Sequence, residues 1–573
     1  MDVRASAIRE SAKHLAIFFA MFCSVLLPAV MIPSVSRGAG NPANLWISAT
    51  GEYSVDAIGI TQVDDKSYLF LPGNLDMNTC RIGFDSEKVF LNGEELHSAQ
   101  TPASVLHDEE TNELLFVNGL RKRKITLVLM RGDNLPSIHI TTESGSLKKI
   151  HQNKKNKEPG CIVLCDADRS RICEGELKHI KMRGNASTKY RKRNYAFKLT
   201  HGSNLLGMGR AKKWVLLGNH LDKSLIRNQI TFDMARYAGL DYTPECRQVL
   251  LYINHEYLGL YLLTEKIEVD DDRVDIRDLE KETEALNEKR PEEYPAFGRT
   301  GITTGNCKGF QIPNEPDDIS GGYIIEYEHD MHKYTGIISG CITKRGRCLR
   351  VVSPEYCSEA QINYISSLMQ HFENAIFAKD GRDPDTGKHY SELADFDSLV
   401  NKYLINEVSK NYDSNISSEY FYKPDDSVST KIYAGPVWDM DNTYGDYARP
   451  DTKKNLKPGG IYTGARGTLH FWWPGLYRQP DFYQAVVKRY HDTFVPAIEI
   501  LLGLREGNGQ LKSIDTYAAA IEKSSEMEFV LYPMLKTKRY QVQTGATPRE
   551  NIEYLKRFIA QRMEFLSGEW IQK

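Results

Sequence analysis

The apolar pattern of the chain changes period across a charged stretch containing glycine and proline at residues 270–318, and this limits the folds open to it. Before the stretch, short runs bounded by turn residues read as β-strands: Ser67–Leu71, Lys88–Leu91, Ile125–Met130, Val249–Ile253 and Tyr257–Leu263. Apolar residues at period two put one face of a strand in a core. Asn92-Gly93 follows one such run, and this pair suits the positive φ angles of a two-residue hairpin. After the stretch, apolar residues recur at helical spacing over 358–378, 393–412, 481–504, 513–531 and 548–568. The expected fold class is α+β, a β-rich part followed by a mainly helical part.

At 573 residues the chain is too long for one core, so two or three domains are expected. Residues 40–150 read as a small all-β, sandwich-like accessory module. The basic run at 146–159 reads as a linker or exposed loop. Residues 160–573 form the main domain, with an N-lobe at about 160–268, a charged insertion at about 270–318 read as a mobile joint, and a C-lobe at about 320–573.

Residues 1–39 stand outside this plan. Arg4, Arg9 and Lys13 precede an uncharged run from Leu15 to Ser36, followed by Gly38 and Ala39, which is the pattern of a secretory signal. Left uncut, the run is long enough to anchor the chain in a bilayer. The expected location is therefore exported, secreted or at the cell surface. Of the ten cysteines, all but Cys23 lie beyond this segment. An oxidising compartment favours pairing, and Cys341 and Cys348 flank a short basic turn that a bridge could close. A net charge of -3 gives no global reason to expect nucleic acid or a membrane surface as partner.

Chemistry concentrates in two stretches. In the first, Asp413 and Asn415 follow the polar end of a helix pattern, while Asp439, Asp441 and Asn442 follow a short strand. Asp439 and Asp441 are two apart and share a face on extended backbone. Carboxylates at a strand end suit a hard cation. Turn formation explains the same residues equally well. In the second, a strand breaks at Arg183-Gly184-Asn185, continues through Ser187, and returns with Lys198 between Phe197 and Leu199. Glycine lets backbone N–H groups approach a phosphate. Lys198 reads either as a phosphate partner or as a lysine snorkelling from a strand edge. Asp222 reads as a helix N-cap, with Arg227 and Asn228 in the first turns placed to pair with an acid or hold a nearby loop.

From Ile180 to about Trp473 these motifs resemble the spore coat protein H (CotH) kinase family of atypical protein kinases. The resemblance rests on Arg183-Gly184-Asn185, Asp222 to Asn228, Tyr252 to Tyr261 with Glu265, Gly321-Gly322-Tyr323, Asn411 to Asp413, and Trp438-Asp439-Met440-Asp441. It implies a two-lobed kinase-like domain that uses ATP and Mg, with Mn as a possible substitute. Arg183, Gly184, Asn185 and Ser187 would cover the phosphates, Lys198 would contact them, and Glu265 would mark the joint beside the adenine. Asp413 would serve the acceptor hydroxyl, and Asp439, Asp441 and Asn415 would hold the metal. Asp222, Asp233 and Glu245 are the acids open to pairing with Lys198. The expected partner is a serine- or threonine-bearing protein of a surface, coat or secreted assembly. An inactive relative acting as an assembly protein is the alternative. A carbohydrate-active protein using acid pairs such as Asp439 and Asp441 as acid and base is a third reading; Trp472 and Trp473 could form its sugar platform, though such residues are more often core.

Overall fold

The computed structural model describes residues 45–108, 111–298, 307–328, 336–415, 417–446, 457–465, 472–533 and 545–571. The expected signal segment lies outside them. The fold is mixed α+β, with four sheets among the described residues.

The first two sheets lie in the N-terminal region. Leu45–Ser48 pairs between Ile58–Gly59 and Arg81–Phe84. A six-stranded sheet runs in the order Thr61–Val63, Lys66–Leu71, Arg121–Arg131, Thr111–Asn118, Lys88–Leu91, Glu94–Leu96. The Asn92-Gly93 turn forms as the sequence predicts: Leu91 pairs with Glu94, and φ is +51° at Asn92 and +97° at Gly93. These sheets are built onto the rest of the chain. Gly59 N donates to His255 O at 2.8 Å, Tyr252 Oη to Phe70 O at 3.1 Å, and Asp133 N to Ser524 Oγ at 2.9 Å.

The third sheet is a closed barrel. Its order is Ser137–Thr142, Glu158–Cys165, Arg171–Arg183, Asn194–Asn204, Arg210–Leu217, Glu256–Glu265, Cys246–Ile253. A parallel pairing of Cys246–Ile253 with Ser137–Thr142 closes it. The sheets therefore do not divide at residue 150: Ser137–Thr142 belongs to the barrel, and 146–159 connects two of its neighbouring strands. The sequence conceals this because all six residues of Ser137–Thr142 are buried, on the outer face as well as the inner. Inside, Ile140, Leu164, Phe197, Trp214, Leu216 and Leu263 belong to a core of the barrel's own. Closure leaves no strand edge, so every strand is paired on both sides.

The fourth sheet runs Ala296–Gly298, Cys307–Phe310, Ser339–Ile342, Cys348–Ser353, Tyr323–Glu328, Glu419–Lys423, Tyr433–Ala434. The stretch read as a mobile joint supplies its first two strands and the helix Leu279–Ala285. That helix is packed in place: Leu279 and Thr283 are buried, and Gln361 Nε2 donates to Thr283 Oγ1 at 2.7 Å. Its charges are exposed on one side while a few apolar positions hold the other, so composition hid the packing. Helix Glu359–Phe377, with a Ser358/Gln361 capping box, crosses the sheet. In this sheet Ile342, not Cys341, is the register partner of Cys348. Cys341 and Cys348 consequently face opposite sides of the sheet, and the bridge expected between them cannot form.

Helix Arg227–Tyr237 packs against helix Phe396–Ser409. The C-terminal pattern forms Pro480–Arg489, Tyr490–Phe494, Val495–Leu501, Ile514–Ala519, Glu522–Leu531 and Pro548–Glu569. Glu522–Leu531 docks on the barrel through Glu528. Lys192 Nζ lies 2.6 Å from Glu528 Oε1, and Leu260 N donates to Glu528 Oε2 at 2.8 Å. Gly259 makes room for this contact: its φ is +113°, and a Cβ there would meet Glu528 Oε2 at 2.4 Å.

Candidate functional site

Two loops form the site, and each is held from outside itself. Helix Phe396–Ser409 ends on Lys410 in the left-handed region at φ +48°. Asn406 Nδ2 then donates to Glu419 Oε1 at 2.9 Å, Asn411 Nδ2 to Asn406 Oδ1 at 3.0 Å, and Asp413 N to Asn411 Oδ1 at 3.0 Å. This relay of buried amides fixes Asp413 at the start of a short 3-10 turn, Asp413–Asn415. The Asn415 side chain lies outside the described residues.

The second loop runs from Asp439 to Asp446. Its acids share a face by a route the sequence did not suggest: the backbone is not extended, because Asp439 sits at φ +60°. Helix Arg227–Tyr237 pins the loop. Asn228 Oδ1 accepts from Met440 N at 2.7 Å, Arg227 Nε donates to Thr443 O at 3.1 Å, and Arg227 Nη1 lies 3.5 Å from Asp446 Oδ2. The loops also bond each other, through Tyr412 N to Asn442 O at 3.2 Å and Tyr444 N to Ser409 O at 2.7 Å. Arg227 and Asn228 thus hold a nearby loop, as one sequence reading has it. Asn228→Ala leaves the Met440 N–H without its acceptor, which is expected to cost about 1–3 kcal/mol in urea unfolding. Asn228→Ala also removes the Nδ2 donor of Asn219 Oδ1 at 3.0 Å, so a loss below about 1 kcal/mol would remove these bonds from the account.

Asp413, Asp439 and Asp441 come together. Each offers an oxygen within 4.8 Å of those of the other two. Asn442 Nδ2 bridges two of them, donating to Asp413 Oδ2 at 2.7 Å and Asp441 Oδ1 at 3.2 Å. Ser418 Oγ lies 3.4 Å from Asp439 Oδ2. Burial, and then the charges of Asp439 and Asp413, push the Asp441 carboxyl well above the usual range. Burial raises Asp439 as well, against the pull of Arg183. At this spacing each charged pair repels by about 3 kcal/mol at an effective dielectric of 20. A divalent cation among the oxygens would reverse that penalty, so the donor set fits a hard metal such as Mg.

Beside these acids lies Arg183, from the outer surface of the barrel. Arg183 reaches across to the fourth sheet: its guanidinium lies 4.9 Å from the Trp438 ring centre, and burial lowers it against the pull of Tyr420, Asp439 and Glu326. Gly184 has φ +94°, and the Ser187 hydroxyl lies 2.1 Å from where a Cβ would stand. Asn185 Oδ1 accepts from Lys154 Nζ at 3.1 Å. Strand register then builds a cationic row. His179 pairs with Lys198, Lys198 with Lys213, and Lys181 shares the outward face with Arg183. Burial and four surrounding lysines push His179 down to about 4. Burial, then Lys213, lowers Lys198. Like charges placed opposite one another in a sheet are unfavourable without an anion.

The acids proposed for Lys198 are engaged elsewhere. Asp222 binds Arg227 at 2.5 Å, Asp233 binds Arg236 and the Tyr517 hydroxyl, and Glu245 binds Arg247 at 2.8 Å. The acid on the cationic face is Glu268, 2.5 Å from Lys213 Nζ and 3.3 Å from Lys266 Nζ. Glu265 does not join the cluster. Its carboxylate binds Arg273 at 2.8 Å and accepts from Glu245 N at 2.9 Å, and burial pushes it up to about 7. Lys181, Lys213, Glu268, Ser418 and the bridging role of Asn442 were missed from sequence. Lys213 could not be found by counting from the turn, because the ladder shifts register between Lys198 and Ser203.

Fold and site together define a mixed α+β protein with a three-carboxylate centre beside Arg183 of the barrel. The chain belongs to the CotH kinase family: the family model described as CotH kinase protein matches residues 180–566, more than half of its length. No curated protein matches the chain.

Proposed function

We propose that the chain is an exported, ATP- and Mg-dependent phosphotransferase that phosphorylates serine or threonine of secreted, surface or spore-coat proteins. The observation that carries this reading is the carboxylate triad beside Arg183, which shares a barrel face with Lys181, Lys198 and Lys213. In this reading the barrel and its outer face act as the small lobe, and the fourth sheet with its helices acts as the large one. Arg183, Lys181, Lys198 and Lys213 bind and orient the phosphates, and Gly184 keeps the turn open to them. Asp439 and Asp441 would hold Mg, which neutralises charge on the transferring phosphoryl group. Asp413, fixed by Asn411 and Asn442, orients the acceptor hydroxyl and takes its proton. The expected export rests on residues 1–39; among the described residues no helix is long and apolar enough to cross a membrane.

The engagement of Asp222, Asp233 and Glu245 elsewhere favours a second reading, an inactive relative that works in assembly. Thermal melting with ATP and Mg separates the two. A ligand of the folded state at 100 times its Kd stabilises by about 2.7 kcal/mol. A shift with ATP and Mg together, followed by label transfer from ATP in an autophosphorylation assay with Mg and Mn compared, is the expected result. No shift and no transfer with either metal would favour the assembly role. The sugar-platform reading loses its support, because Trp472 and Trp473 are each 1% exposed and packed in the core.

A further inference from the structure

We propose that Cys307 and Cys341 form a cross-strand disulfide when the chain meets an oxidising compartment. Strands Cys307–Phe310 and Ser339–Ile342 are antiparallel neighbours, and Cys307 and Cys341 are direct register partners. Directly opposed residues of an antiparallel pair have Cα atoms about 4.5–5.5 Å apart, within the span of a disulfide. The two side chains share one face of the sheet. Cys341 belongs to the core beneath helix Glu359–Phe377, and Cys307 packs against that core with its Sγ 3.3 Å from Ser366 Oγ on the same helix. Among charged groups, the Cys307 thiol is the first to raise the thiol of Cys341. The neighbouring cysteines are placed otherwise: Cys348 lies on the opposite face with Ile342, and Cys357 Sγ is directed at Pro354 O, 3.3 Å away.

The register pairs between these two strands are Cys307 with Cys341 and Lys308 with Gly340. A covalent bond here would fasten the outer strands of the fourth sheet to its centre. It would also close a loop that contains strand Tyr323–Glu328, one of the strands facing Arg183. The oxidant is a disulfide, either oxidised glutathione or that of a thiol–disulfide oxidoreductase. Cys307, the more exposed of the two, attacks as thiolate and forms a mixed disulfide, expelling one donor thiolate that takes up the proton Cys307 lost. The Cys341 thiolate then attacks the Cys307 sulfur and expels the second donor thiol. One donor disulfide is reduced to two thiols and one protein disulfide forms. Burial raises both thiols, so the exchange runs fastest before the sheet closes under its helix.

The test is peptide mapping of the full chain. Reduced protein is incubated in a glutathione redox buffer, in one arm natively and in the other during refolding from denaturant. Free thiols are then alkylated under denaturing conditions and the chain is digested without reduction. The expected product is a peptide pair joined through Cys307 and Cys341, two hydrogens lighter than the separate peptides, with Cys348 alkylated. A second expectation is that reductant lowers the melting temperature of the oxidised protein but not of Cys307→Ser. Full alkylation of both Cys307 and Cys341 in both arms, or a bond from Cys341 to Cys348 or Cys357, overturns the assignment. The mapping makes no use of ATP or transfer, so its outcome is independent of the proposed reaction.

Discussion

Asp413→Ala is expected to lower phosphate incorporation by roughly 10²–10⁴, the range for removing a positioned general base, while leaving the thermal shift with ATP and Mg in place. Asp439→Ala and Asp441→Ala should remove both. The separation follows from geometry. Asp413 is held by the relay from Asn406 and Asn411 on the helix side, whereas Asp439 and Asp441 flank Met440, whose N–H is bonded to Asn228. Asp441 carries a further expectation of opposite sign. Its charge is opposed by Asp439 and Asp413 when no cation is bound, so Asp441→Asn should raise the melting temperature in chelator and lower it, relative to the parent, in saturating Mg. Radiolabel incorporation and melting curves in chelator and in Mg make the comparison. Transfer retained by Asp413→Ala, or an Asp441→Asn protein destabilised in chelator, would contradict these roles.

How much of this was legible in the sequence depended on the range of the interaction. Local signals carried well. The Asn92-Gly93 turn and the long amphipathic helices follow from residues within a few positions of each other. The acids of the site were legible as a group because they bracket one strand pair, though the bend at Asp439 was not. What escaped was set by distant partners. Ser137–Thr142 joins the barrel because Cys246–Ile253, more than a hundred residues later, pairs with it in parallel. Glu407, in helix Phe396–Ser409, is buried against Arg562 at 2.5 Å and accepts from Tyr462 N and Gly464 N. Neither local propensity nor periodicity encodes such pairings. Strand register was recoverable only in part: next to the turn Asn204 pairs with Arg210, but the ladder shifts register between Ser203 and Lys198, so the opposition of Lys198 and Lys213 does not follow by counting.

The largest expected loss of stability lies away from the acids, at Glu528. This carboxylate is fully buried, takes the Leu260 N–H at 2.8 Å and pairs with Lys192, which is itself buried over the Tyr261 ring at 4.7 Å. Burial works against both charges, raising Glu528 and lowering Lys192, while each offsets part of the other's cost. Removing one partner leaves the other charge in the interior, so Glu528→Ala should destabilise by about 3–5 kcal/mol. Replacing both, Glu528→Leu with Lys192→Met, removes both desolvation costs together. The double variant should therefore recover part of the loss, since the Leu260 N–H loses its Glu528 acceptor and the Leu260 carbonyl its Lys192 donor. Because Glu528 joins helix Glu522–Leu531 to the barrel, the damage should appear as a lowered urea midpoint with early exposure of that helix in hydrogen exchange. Gly259→Ala should reproduce the effect in part, since its Cβ would displace the same carboxylate from a position at φ +113°. If Glu528→Ala unfolds within about 1 kcal/mol of the parent, the pair is solvated in solution and the barrel is held to its helix by apolar contact alone.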